Sequence, residues 1–392
     1  MHETALIATV TAAFACALAG GMLTAKLGLS PLPGYLLAGV AIGPFTPGFV
    51  GDTSLAGQLA EIGVVLLMFD VGMHFSLRDL MAVRRFVLPG ALITALLCCS
   101  GGFVLTHFAG YSAGGSLVFG LALSVSSTVV LLRALNTQGL MQSTSARLVI
   151  GWLVVEDLLT VMMLVALPVL AGTLGGHGGD DRAVLPALGL ALVKVVVFGA
   201  VMLGPGGRAI AWLLGRVASS TVPELFTLAV VTLALGIGFG VADMLGLSYA
   251  LGAFFAGMVV HGTDYGARAT QEIAPLQNTF AVLFFVAVGM LFDPRVLLTH
   301  PAEVAAVAIM VVVIRPLIAF AVLQLLRLPG WQTRIVAGGL AQIGEFSFVL
   351  AAMGQSLGLL GRDGQNLILA GALVAITLNP LVMRIVCPKL PE

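Results

Sequence analysis

Apolar residues fill this chain in long blocks separated by short polar breaks, and each block has about the length needed to cross a bilayer. Over windows of about 20 residues, the pattern predicts spans near 5–24, 32–45, 55–76, 86–107, 113–132, 148–172, 184–204, 223–241, 246–261, 273–292, 302–326, 335–358 and 366–386, about 13 transmembrane helices. The span at 32–45 is short and interrupted by Gly and Pro, which predicts an oblique or protein-buried crossing. The amphipathic stretch at about 205–220 is expected to lie in the membrane interface.

Composition agrees with that pattern. Hydrophobic residues make up 59% of the chain and charged residues 9%, with mean hydropathy +1.10, against about 25% charged residues in soluble domains. The expectation is an all-α polytopic membrane protein whose surroundings are a lipid bilayer. Eighteen basic residues balance eighteen acidic ones, so no basic excess points to a nucleic-acid partner. Cys16, Cys98, Cys99 and Cys387 lack zinc or CxxC spacing and read as packing residues. The first apolar run has neither a basic leader nor a cleavage site and reads as a retained helix.

Lysine and arginine positions orient the chain. With the N-terminus outside, thirteen basic residues fall in cytoplasmic segments, against Arg182, Arg295 and Arg362 outside. The positive-inside rule thus predicts N-out and C-in. Lys194 and Arg315 remain inside spans, and Lys194 is placed to snorkel.

An internal repeat supplies the architecture. VLLMFDVGMHFSLRDL (65–80) aligns without gaps to VLFFVAVGMLFDPRVL (282–297), identical at eight of sixteen positions. The copies lie seven crossings apart, and an odd displacement inverts one half relative to the other. The first half covers about 1–172, a linker helix about 184–204, the interfacial segment about 205–220 and the second half about 223–386, all within one transmembrane domain over 1–392. With a two-residue slip, GLALSVSSTVVL (120–131) meets GLAQIGEFSFVL (339–350). Polar, Gly-containing centres at equivalent depth predict two discontinuous helices crossing near the midplane. Hydroxyl back-bonding inside an unbroken helix is the alternative.

The chemistry lies in GWLVVEDLLTVMMLVAL (151–167), which carries Glu156 and Asp157 at its centre. A carboxylate there costs roughly 2.5–3.5 kcal/mol on insertion scales and tends to mark an ion or proton path. Burial disfavours the charged form of a carboxylate, so such a group holds either a cation or a proton, which is a simple exchange device. Neighbours on a helix point about 100° apart, which predicts different jobs for the two acids. HExxH and Ser-His-Asp patterns are lacking, which argues against a hydrolase or metalloenzyme. No repeated filter segment favours a gated cation channel, the alternative of another class.

VIGWLVVEDLLTVMMLVALP, ALSVSSTVVLLRAL, AQIGEFSFVLA and LPGYLLAGVAIGP together resemble the membrane domain of Kef-type monovalent cation:proton antiporters, the cation:proton antiporter-2 family. The Gly-Trp-Leu-x-Val-Glu-Asp run is most similar to the YbaL-like branch. The resemblance covers essentially the whole chain and implies a sodium/proton-antiporter-like fold. It further implies a homodimer in a bacterial inner membrane that exchanges potassium, or alternatively sodium, for protons by alternating access. No cofactor is expected beyond the transported ions. Carried over by position, Asp157 becomes the cation- and proton-carrying aspartate and Glu156 its motif neighbour. Ser126, Ser127 and Thr128 form the unwound segment, and Glu345 belongs to the second crossing helix.

The chain departs from the family in places. Gln-Asp in the glutathione-gated branch and Asp-Asp in electrogenic exchangers stand where this chain has Glu-Asp. Asp70 stands where the family usually carries a small or apolar residue. Many members continue into a cytosolic nucleotide-binding domain, a possible regulatory partner for which this chain shows no GxGxxG segment.

Several roles stay open at this level. Glu156 is either an ion-site acid or the salt-bridge partner of Arg315, and a neutral pair there leaves Asp157 as the single exchanging charge, hence electroneutral exchange. Glu345 is an ion or proton site or a cap on broken-helix amides. Asp70 is a second proton site or faces a wet cavity, and His74 is an interfacial histidine or a pH sensor. Gln342 shares the second polar centre with Glu345. The hydroxyls of Ser126, Ser127 and Thr128 are ion ligands or only satisfy backbone groups.

Overall fold

The computed structural model describes residues 5–74, 77–140, 143–177, 184–222, 224–245 and 249–386. Arg182 and Cys387, given roles above, lie outside the described residues. Everything regular is helical. The first half contains α1 (Ala5–Lys26), α2 (Leu32–Ile42), α3 (Thr53–His74), α4 (Leu77–Phe108), α5 (Ala113–Leu123), α6 (Thr128–Thr137) and α7 (Thr144–Leu170). There follow α8 (Val184–Val201), α9 (Gly207–Ala218), α10 (Glu224–Leu245), α11 (Tyr249–His261) and α12 (Gly266–Met290). The chain closes with α13 (Val296–Thr299), α14 (Pro301–Ile309), α15 (Arg315–Leu325), α16 (Gly330–Gly339), α17 (Glu345–Ser356) and α18 (Arg362–Val386).

Eight helices are long and apolar enough to cross a membrane among the described residues. The thirteen predicted segments each fall on a helix or a helix pair, but five fall on helices that are interrupted or short over their described residues. The 11 residues of α2 reach only about 16 Å at about 1.5 Å each, half a hydrocarbon core.

The stretch at 205–220 is helical over Gly207–Ala218. It is not a separate element, because α8 runs through a π turn at Met202–Gly206 directly into α9. Pro205 lacks a backbone donor, and the wider turn absorbs it without breaking the helix. A second π turn, Met310–Ile314, precedes Arg315 and Pro316 in the same manner and joins α14 to α15.

Two spans are broken at their polar centres. α5 stops at Leu123, and Ser124–Ser127 form a non-helical link before α6. α16 stops at Gly339, and residues 340–344 link it to α17. The links face each other, with the Gly344 N–H donating to the Val125 carbonyl at 3.0 Å. A Cβ at Gly344 would overlap the Ser126 carbonyl, so only glycine lets the two backbones approach this closely. Broken helices are tolerated at membrane depth only where protein buries them, and residues 340–348 and 122–127 are all buried.

Candidate functional site

α7 passes beside the crossing and delivers the two acids. Ser143 caps its start by accepting the Ala146 N–H at 3.1 Å. Successive residues then turn in different directions: Glu156 reaches Arg315, and Asp157 reaches Thr128.

Arg315 is the buried hub. One guanidinium nitrogen donates to the Leu123 carbonyl at 3.3 Å and the Gln342 carbonyl at 3.1 Å. The other donates to the Ser124 carbonyl at 2.8 Å, Ser126 Oγ at 2.6 Å and Glu156 Oε1 and Oε2 at 2.9 and 3.1 Å. The carbonyls at the end of α5 and just beyond α16 are the orphans that helix C-termini leave. A fixed cation is the complement of those negative dipole ends. Glu156 neutralises it, and the glutamate's remaining capacity is filled by the Ser126 N–H at 2.9 Å and the Trp152 indole N–H at 2.9 Å.

Asp157 is bonded differently. Thr128 Oγ1 donates to its Oδ2 at 3.3 Å, while Oδ1 is buried with no hydrogen-bond partner among the described residues. Glu345 opens α17. Its Oε2 is likewise buried and unpartnered. The crossing thus has two sides. One holds Arg315, Glu156 and the helix C-termini. The other holds the starts of α6 and α17, where helix dipoles favour negative charge, and two carboxylates with a free oxygen each. Free carboxylate oxygens beside a hydroxyl suit a hard monovalent cation or a proton.

The structure separates the three predicted hydroxyls. Ser126 Oγ accepts from Arg315, and Ser127 Oγ accepts the Val130 N–H at 3.3 Å, capping α6. Only Thr128 among the three bonds Asp157 in the described residues. Gln342 spans the two links: Oε1 accepts the Ser127 N–H at 3.1 Å and Nε2 donates to the Ser127 carbonyl at 2.9 Å. Asp70 and His74 lie on α3, where they pair with each other at 3.3 Å with side chains 25% and 64% exposed. Trp152 is the site residue that sequence reasoning missed. Its four-residue spacing from Glu156 was the available signal.

A 13-crossing reading, an inverted polar pair and a mid-helix acid do not by themselves name a family. The profile described as sodium/hydrogen exchanger, transmembrane, matches residues 10–388. The chain belongs to the sodium/hydrogen exchanger family. Among curated exchanger-like relatives, "Putative cation/proton antiporter YbaL" of Escherichia coli (strain K12) is 47% identical over 384 residues, covering 98% of this chain and 69% of that protein. "Uncharacterized protein in phaC 3'region" of Methylorubrum extorquens is 54% identical over 271 residues, covering 67% of this chain and 98% of that one. The sodium proton antiporter MjNhaP1 of Methanocaldococcus jannaschii at pH 8 superposes with TM-score 0.68 at 15% identity, covering 97% of this chain and 96% of that structure. At that identity the likeness is one of fold.

Proposed function

We propose that this exchanger-family chain is a secondary antiporter that swaps a monovalent cation, potassium, for protons by alternating access, with Asp157 as the carrier. The observation that carries the reading is Asp157 itself: a buried carboxylate with one oxygen held by Thr128 and one free, at the crossing of two broken helices. Such a group is occupied by a cation or by a proton, and exchange follows when the site faces each side in turn. Glu156 is the structural acid, its charge matched by Arg315. One exchanging carboxylate per cycle makes the exchange electroneutral.

Potassium rests on the Kef-type, YbaL-like resemblance of the Gly-Trp-Leu-Val-Val-Glu-Asp run. Sodium is the second reading, favoured by the family description. Thirteen crossings arranged as an inverted repeat, a homodimer, a bacterial inner-membrane location and a separate nucleotide-binding regulatory domain belong to the same reading.

Packing supports the repeat. The glycine of the first Val-Gly-Met copy, Gly72 on α3, lies against Phe254 of α11, whose Gly257 lies against Phe69. The glycine of the second copy, Gly289 on α12, lies against Leu36 of α2, whose Gly39 lies against Val286. Each copy meets an Ala-Gly helix through paired small residues, as an inverted duplication requires.

Proteoliposomes test the proposal. Lumenal pH is followed after adding potassium, sodium or rubidium, with the native chain beside Asp157→Asn. Cation-driven alkalinisation that the variant lacks is the expected result, and the cation series selects the substrate. Unaltered exchange in Asp157→Asn would remove Asp157 from the mechanism.

A further inference from the structure

Gln342 holds both backbone polar groups of Ser127, accepting from its N–H and donating to its carbonyl. Both residues are buried, at 0% and 1% exposure. This is the pairing that one strand offers another, made here by a side chain across two helix breaks. Thr128, the neighbour of Ser127 in the chain, bonds Asp157. The Ser127 carbonyl also accepts the Leu131 N–H at 3.3 Å as the first helical bond of α6, so the Gln342 clamp ties the start of α6 to the 340–344 link.

We propose that Gln342 is a specificity-determining positioning residue, which fixes the spacing of the two helix breaks, so that the cation meets side-chain oxygens in a fixed frame. The proposal rests on the reading of Asp157 as the cation carrier and adds the element that sets discrimination. Discrimination between monovalent cations depends on the number of carbonyl ligands and the stiffness of their frame. Gln342 sets the stiffness by tying one helix break to the other. It is not itself a ligand, because its oxygen accepts from Ser127 and its nitrogen donates to Ser127 and, at 3.4 Å, to the Gly339 carbonyl.

The two roles give opposite signs in Gln342→Glu. A protonated carboxyl accepts from the Ser127 N–H and donates to its carbonyl, reproducing the clamp, whereas the ionised form only accepts and repels the carbonyl. A clamp therefore predicts native-like discrimination at acidic pH that is lost as pH rises. A direct ligand predicts the reverse, cation binding that tightens as the introduced carboxyl ionises. Gln342→Ala removes the clamp at every pH.

The experiment uses the full chain and two readouts. Exchange in proteoliposomes gives the ratio of sodium to potassium KM between acidic and alkaline pH, and thermal stabilisation of the purified protein by sodium, potassium or rubidium chloride against choline chloride gives binding without transport. The expected result is a KM ratio in Gln342→Ala changed roughly three- to tenfold, the weight of one hydrogen bond, and a Gln342→Glu ratio that returns to the native value only in acid. If Gln342→Ala does not fold, Gln342→Glu alone decides. Native ratios and an unchanged pH profile in both variants, or binding that tightens with pH in Gln342→Glu, overturn the clamp while leaving the antiport reading intact. A native chain neither stabilised by these cations nor able to exchange them overturns that reading and the clamp with it.

Discussion

Arg315 and Glu156 lie 2.9 Å apart with both side chains 1% exposed, so a full positive and a full negative charge cancel inside the apolar core. The pair joins elements far apart in sequence, α7 and α15, and Arg315 also holds the ends of α5 and the 340–344 link. Removing one partner of a buried pair leaves the other uncompensated, at about 3–5 kcal/mol. Arg315→Ala is therefore expected to lower the melting temperature and yield in detergent sharply. Arg315→Lys rescues poorly, since one ammonium cannot reproduce a planar fork with several acceptors. In a double-mutant cycle, Arg315→Met combined with Glu156→Gln should melt above the level that the two single losses add up to. Strict additivity would show that the pair carries no coupling.

Asp157 contrasts with its neighbour. Its amide replacement keeps an oxygen for Thr128 and removes only the exchangeable charge, so Asp157→Asn should abolish exchange and leave the melting temperature near native. Glu156→Gln should do the opposite to stability, because Arg315 is stranded. Thr128→Val removes one bond to Asp157 that is long at 3.3 Å and so worth about 0.5–1.5 kcal/mol, and should raise the cation KM roughly two- to tenfold. Flux and melting curves on the same preparations separate these outcomes. A collapse in melting temperature for Asp157→Asn would make the residue structural.

These assignments were partly legible before any coordinates. Acids inside an apolar run announce themselves by their insertion cost, and the polar centres of two repeat-related spans marked 124–127 and 340–344, where the helices stop. Rotational phase was not legible. Nothing in Ser-Val-Ser-Ser-Thr says that Ser126 turns to Arg315 and Thr128 to Asp157, because the phase of a chain is lost across a helix break. The helix through Val201–Gly207 was hidden for a different reason: Gly-Pro-Gly-Gly reads as a stop, and the π turn that absorbs it leaves no sequence mark. Trp152 resembled core because an indole is mostly apolar surface, and its single donor matters only once Glu156 is known to lie one turn away.

Trp152 gives the third prediction. It is 1% exposed and packs against Gly90 of α4 while donating to Glu156 Oε1 at 2.9 Å. Trp152→Phe keeps most of the ring volume and deletes the donor to a charged acceptor, a loss of about 1.5–3 kcal/mol. The expected phenotype is a lower melting temperature with exchange retained, since Arg315 and Ser126 still hold Glu156. Lost exchange at unchanged stability would instead place the indole in the transport path.

Gly344 tests whether the crossing must be this tight. Its N–H reaches Val125, its φ of −89° is open to any residue, and the obstacle to a side chain is therefore space alone. An added methyl meets the Ser126 carbonyl, which belongs to a backbone that Arg315 and Glu156 pin on the far side. Neither link has room to retreat, so Gly344→Ala should push the two breaks apart, lengthening the Gln342 bonds to Ser127 and displacing Thr128 from Asp157. Overpacking of this kind costs typically about 1–3 kcal/mol, less than the loss of the Arg315 pair. The variant should therefore fold and reach the membrane yet exchange cations at a small fraction of the native rate. Comparing its melting temperature with that of Arg315→Ala, and its flux with that of Asp157→Asn, checks both halves of the statement. Native flux in Gly344→Ala would mean that the contact between the two breaks opens during the cycle, which replaces a rigid crossing with a hinged one.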